Sequence, residues 1–169
     1  AIESTEDVLE NILKDEKYQV DEASHIKARI FDMLIGDWDR HSDQWKWSRF
    51  NVSDDKVMYR PIPRDRDQAF SKFDGTMFDI LKFIIQDLRK FQVYGESNKN
   101  IKWITISGIK LDRALLQNSY KEEWVKQAKY IQENITDEVI DEAFSNLPIE
   151  MQDESANQIK EKLKERRAN

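Results

Sequence analysis

Apolar positions recur three and four residues apart over the first 35 residues, the spacing of a helix with one buried side. Val8, Leu9, Ile12 and Leu13 predict a first helix, opened by Ser4 with Asp7 three positions on as a capping box. Asp21 caps a second, with Ile26, Ile30, Phe31 and Leu34 on one side, and Gly36 predicts its end in a left-handed turn. The period then falls to two. Tryptophans alternate with polar residues from Gln44 to Phe50, and Val57, Tyr59 and Ile62 alternate across the turn-like NVSDDK, which predicts an antiparallel hairpin. Pro61 and Pro63 cannot donate to a ladder, so the second strand should end there or lie at an edge.

Beyond Asp74-Gly75, the run Met77 to Phe91 carries Phe78, Leu81, Phe83, Ile84, Ile85 and Leu88 and is the best candidate for the core helix. Gly95 to Asn100 is linker-like, and Ile101 to Ile106 reads equally as a strand or as the approach to Gly108. Leu111 to Gln117 predicts a short helix. Ser119 with Glu122, Thr136 flanked by the staple Ile135 and Ile140, and Ser155 with Gln158 predict three more helix starts, with Pro148 stopping the middle one. The fold class is therefore mainly α with a short antiparallel hairpin, in a single domain over residues 1–169.

Composition narrows the function. Charged residues make up 36% of the 169, the net charge is −6, and there is no cysteine. A net acidic chain argues against nucleic acid as the main partner, because that partner needs a basic footprint. Thiolate zinc and thiol nucleophiles are excluded. No apolar run approaches the ~20 residues of a membrane-spanning helix.

Chemistry concentrates in two stretches, LIGDWDRHSDQWKW from Leu34 and YRPIPRDRDQAF from Tyr59. If both face one pocket, Asp37, Asp39, Asp43, Asp65 and Asp67 repel one another unless a cation or basic group lies between them. Magnesium suits such a site, since it is held by one or two carboxylates plus substrate phosphates. Gln44 stands five positions after Asp39, the separation between base and amide ligand in kinase catalytic loops.

The segment resembles the Asp-Arg-His catalytic loop of atypical kinases, among them the HipA toxin kinases, the spore-coat CotH kinases, the secreted casein kinases and the phosphoinositide kinases. The resemblance covers Ala23 to Phe83, with the motifs at residues 31–75 and a helical remainder at 76–169. It implies a protein-kinase-like C-lobe in which Asp39 is the catalytic aspartate, Arg40 and His41 are its loop partners, and Gln44 is the amide ligand of magnesium. Asp65 is implied as the metal aspartate because it stands five positions before Phe70, with Asp67 as second choice. Magnesium and ATP are the implied cofactors. Gln44 departs from the family's asparagine by one methylene, and no Gly-rich loop or strand lysine precedes the motif. The resemblance thus implies a lobe of a longer protein, taking its nucleotide together with an N-lobe that lies elsewhere. The run Phe31 to Gly75, with LDRALL, TDEVIDEAFSNLP and IKEKLKERR, also resembles uncharacterised segments of large bacterial envelope proteins carrying an upstream metallophosphoesterase domain and a downstream surface-antigen barrel. That likeness implies an exported parent whose other domains are this domain's partners.

Plainer readings stand beside these. Arg40, Arg64 and Arg66 can neutralise the carboxylates as an all-protein network, leaving a non-enzymatic helical accessory domain. The Asp-x-Asp triplets would also serve a metal-dependent glycosyl or phosphate-ester enzyme. Trp38, Trp45 and Trp47 read more simply as core than as base-stacking groups, His41 as a scaffold residue, and His25 as a solvated side chain on a helix.

Overall fold

The computed structural model describes residues 1–98, 100–116 and 119–169, and of residues 76–78 the backbone only. Among them are eight α-helices and one small mixed sheet. Strand β1 (Ile2–Glu3) leads into helix α1 (Thr5–Lys14), which Ser4 and Asp7 open as a capping box. Strand β2 (Tyr18–Val20) leads into α2 (Glu22–Ile35), whose N-cap is Asp21. Strands β3 (Trp45–Ser53) and β4 (Lys56–Pro63) follow. The sheet is more than a hairpin: its order is β1-β3-β4-β2, with β1 antiparallel to β3, β3 to β4, and β2 parallel to β4. Two- and three-residue strands are too short to carry a readable alternation, so β1 and β2 left no periodic signal.

Along β4, Val57 donates to Lys17 O and Tyr59 accepts from Asp21 N, so the odd-numbered residues aim their backbone groups toward β2. Strand β2 stops opposite Tyr59, and the same phase carries on to Pro61 and Pro63 where no neighbour is paired. The prolines thus sit on an unpaired flank of a strand whose other side, at these positions, stays laddered to β3.

The carboxyl half holds α3 (Thr76–Ile84), α4 (Ile101–Thr105), α5 (Ile109–Leu115), α6 (Lys121–Asn134), α7 (Asp137–Ser145) and α8 (Glu154–Ala168). Ile101 to Thr105, expected as a strand or an approach to Gly108, is therefore helical, with Ile106 in the turn that follows. Gln117, expected to close the short helix α5, lies outside the described residues, as does the side chain of Phe78.

Two apolar clusters flank α2. In one, Val8, Trp45, Trp47, Val57 and Tyr59 pack with Leu111 and Leu115 of α5. In the other, Leu34 meets Ile131, Ile140 and Leu163 of α6, α7 and α8. Helix α2 is thus the core helix, and the expectation that Met77 to Phe91 would be is overturned: Ile80, Phe83, Ile84 and Ile85 are all exposed, Phe83 at 82%. The apolar run is long enough for a core helix, but α3 breaks at Ile85 into a 3-10 turn, and tertiary placement overrides the pattern. Two expected caps also move. Tyr120, with no side-chain cap bond, precedes α6, while Ser119 donates instead to Glu22; Asp153 rather than Ser155 caps α8.

Candidate functional site

The loop that carries the candidate residues leaves α2 through Gly36, in the left-handed region with φ 77°. A Cβ there would stand 2.8 Å from the Tyr94 ring, so both the turn and the packing require glycine. The turn sends Asp37 back under the end of α2, where its N–H reaches Asp32 O at 2.8 Å.

Below the loop lies a buried ion-pair network centred on a residue that the sequence reading passed over. Asp32, fully buried, accepts from Arg66 Nε at 2.9 Å and faces Arg40 Nε at 3.0 Å and Arg29 Nη1 at 3.8 Å. Arg29 in turn makes two 3.0 Å bonds to the Asp112 carboxylate, which His25 Nε2 also meets at 2.9 Å. Gly108 lets this happen, since a Cβ there would come within 2.7 Å of the Arg29 guanidinium. His25 is not the solvated side chain expected: it is fully buried against the Trp45 and Trp47 rings at 4.7 and 5.7 Å. The missed signal was spacing. Residues 25, 29 and 32 recur at helical intervals on the same helix as the apolar positions, where buried charge is legible only once a partner on α5 is known.

Arg40 has no exposed surface, so it braces the site instead of touching a ligand. Its Nη1 donates to Arg64 O at 2.7 Å and Asp65 O at 2.9 Å, and its Nη2 donates to Gln44 O at 3.1 Å. One guanidinium therefore fastens both acidic stretches to each other. Asp37, also buried, lies 3.4 Å from Arg40 Nη1 and accepts from Asp39 N at 3.1 Å. Burial pushes the Asp37 carboxyl above the usual range, with Arg40 working against it.

The remaining candidates stay outside this network. Asp39 is partly exposed, its carboxylate 3.8 Å from His41 Nε2. His41 Nδ1 accepts from Asp43 N at 3.3 Å and so caps the 3-10 turn Ser42–Gln44. Asp65 and Asp67 are exposed, and neither carboxylate has a hydrogen bond or ion pair among the described residues. Asp65 holds φ 45°, a conformation that aspartate and asparagine tolerate better than most side chains. Gln44 is anchored through its backbone carbonyl, which also accepts from Arg64 N at 2.9 Å. Among the described residues, no group of three or more histidine and acidic side chains is gathered to hold a metal alone. Any magnesium here would need phosphate oxygens to complete its shell. Trp38, Trp45 and Trp47 are core, with Lys90 lying 4.7 Å over the Trp38 ring.

The start of the loop is fixed from the carboxyl half. The Tyr94 phenol donates to Leu34 O at 3.0 Å, and burial pushes its pKa up to about 12, with Arg166 opposing. A folded value above the ordinary 10.0 means that the stability tied to the protonated phenol is complete below pH 10 and is lost as pH rises through about 12. Phenolate absorbance during an alkaline titration should therefore show a component that ionises last, near pH 12, and that Tyr94→Phe removes. Ionisation of all five tyrosines together near pH 10, while the fold persists, would refute this placement.

In comparison with known proteins, the chain matches no family model, and no curated protein or solved structure shows a significant match to it.

Proposed function

We propose that this domain is the metal- and phosphate-facing C-lobe of a kinase-like phosphotransferase, in which Asp39 orients the attacking hydroxyl while Asp65 and Gln44 hold magnesium against nucleotide phosphates. One observation carries the reading. Buried Arg40 ties the carbonyls of Gln44, Arg64 and Asp65 into one brace, yet the carboxylates of Asp39, 3.8 Å from His41 Nε2, and of exposed Asp65 remain outside the buried network. Preorganised acidic side chains on a rigid backbone are what phosphoryl transfer asks of a protein, since the chemistry is almost entirely positioning and charge stabilisation. The strand pair β3–β4 lies between the two acidic stretches, the order that the resemblance to atypical kinases implies. His41 keeps Asp39 oriented through the capped turn, and Asp67 is a reserve ligand.

A second reading, the accessory domain with a structural Asp/Arg network, draws on Asp32, which gathers three arginines with no ligand. Magnesium, titrated into the 169 residues during thermal melting, separates the two. The phosphotransferase reading expects a rise in midpoint, because a ligand bound only by the folded state stabilises by mass action, and expects Asp39→Asn and Asp65→Asn each to abolish it. Phosphotransfer turnover is not expected from these residues alone. No shift in the parent protein, with both variants folded, would leave the structural network as the function of the loop.

A further inference from the structure

Beside Gly36 at the carboxyl end of α2, a cavity of about 430 Å³ opens between α3, α8 and the segment around residues 92–98. Its charged lining is Asp79, Lys82, Lys162 and Arg166, with Ser71 and Ser97 beside them. We propose that this cavity binds a small phosphate ester, with Lys162 and Ser71 or Ser97 at the phosphoryl group and Arg166 supplying charge from beneath.

The argument starts from Arg166. Its side chain is only 8% exposed, yet no carboxylate pairs with it among the described residues. Its Nη2 and Nη1 donate to Met33 O at 2.9 Å and Gly95 O at 3.2 Å, its guanidinium lies 4.7 Å over the Tyr94 ring, and its Nε is buried without a hydrogen-bond partner. Carbonyls satisfy donors but do not neutralise a charge. Buried cations elsewhere in this molecule do meet carboxylates: Arg29 meets Asp112, and Arg40 meets Asp32 and Asp37. The carboxyl end of α2 contributes about half a negative charge at Met33, which offsets Arg166 only in part. Lys162, half-buried on the next turn of α8, also lacks a carboxylate within ion-pair range among the described residues. Lys82 is matched by Asp79 at 3.5 Å. Two positive charges therefore remain among the described residues of one polar cavity.

A dianion fits that balance. A phosphate monoester carries about −1.5 to −2 at neutral pH and offers three acceptor oxygens for lysine ammonium and serine hydroxyl donors, whereas a monocarboxylate would leave one cation unmatched. The volume lies in the range of small-molecule sites. The inference is independent of the phosphotransferase reading, because none of the residues proposed to hold the ester belongs to the stretch from Asp37 to Asp67.

Isothermal calorimetry with glycerol 2-phosphate, at ionic strength held constant with sodium chloride, tests it. The expected result is saturable one-to-one binding, at least tenfold weaker in Lys162→Ala and lost in Arg166→Gln, with acetate giving no saturable heat. Should Arg166→Gln fail to fold, Lys162→Ala decides alone, since its side chain is half in solvent. Asp39→Asn must leave this binding unchanged, so failure here and failure of the magnesium experiment remain distinguishable. No saturable binding in the parent, equal affinity in Lys162→Ala, or acetate binding as tightly as the ester would overturn the proposal.

Discussion

Replacing Arg40 by methionine should cost the domain about 3–5 kcal/mol, the usual consequence of removing one partner from a buried ion pair. Methionine fills similar space, so the loss is electrostatic more than steric. Asp32 and Asp37 lose their shared cation, the carbonyls of Arg64 and Asp65 lose their donor, and that of Gln44 keeps Arg64 N alone. For a chain of this length, a deficit of that size lowers the melting midpoint by roughly 10 °C. Arg40→Lys should recover little, since one ammonium cannot reach four acceptors that a planar fork spans while also facing Asp32. Thermal melting of both variants checks this. A midpoint within about 3 °C of the parent, which corresponds to about 1 kcal/mol, would mean that the network is not what joins the two acidic stretches. The same variants bear on function, for a site whose loops drift apart should also lose the magnesium-dependent shift.

Trp47→Ala is expected to be as severe, at about 3–5 kcal/mol, through a different cause. The ring is fully buried between His25 and the α1–sheet interface, and truncation leaves a cavity that a sheet-anchored backbone cannot collapse around. Its Nε1 also donates to Thr5 Oγ1 at 3.1 Å, and Thr5 passes the bond on to Ser42 O at 2.8 Å, at the start of the turn that His41 caps. Trp47→Phe keeps most of the ring and loses that relay, at a cost of about 1 kcal/mol. Denaturant unfolding should therefore rank parent, phenylalanine and alanine in that order. An alanine variant no worse than the phenylalanine one would show that packing at Trp47 is slack.

What the chain disclosed about itself follows from how far each signal reaches. Ser4 with Asp7, Asp21, Gly36 and Thr136 act within one helical turn, so their caps are visible in four or five letters. The buried tryptophans of β3 alternate over enough residues to announce a strand with an inner face. By contrast, α3 advertised itself as core by composition, and only the packing of α2 between sheet and helices reveals that the place was already taken. The candidate site divides along the same line. Asp39, Arg40 and Asp65 stand in local motifs and could be picked out as candidates; Arg29 and His25 matter because of Asp112, more than 80 residues away in sequence, and Asp32 because of Arg66, 34 residues away, and no short pattern carries that information.

The prolines at the end of β4 have a consequence for how this protein meets copies of itself. A strand flank with regularly spaced N–H and C=O groups is a template on which another chain can assemble, and natural sheets blunt such flanks to avoid fibrous aggregation. Here the flank beyond β2 presents carbonyls at residues 61 and 63 but no donors, because both positions are proline. An incoming strand would find only half of its ladder there. The molecule's growth by sheet extension is thus stopped chemically at the point where its covering strand runs out.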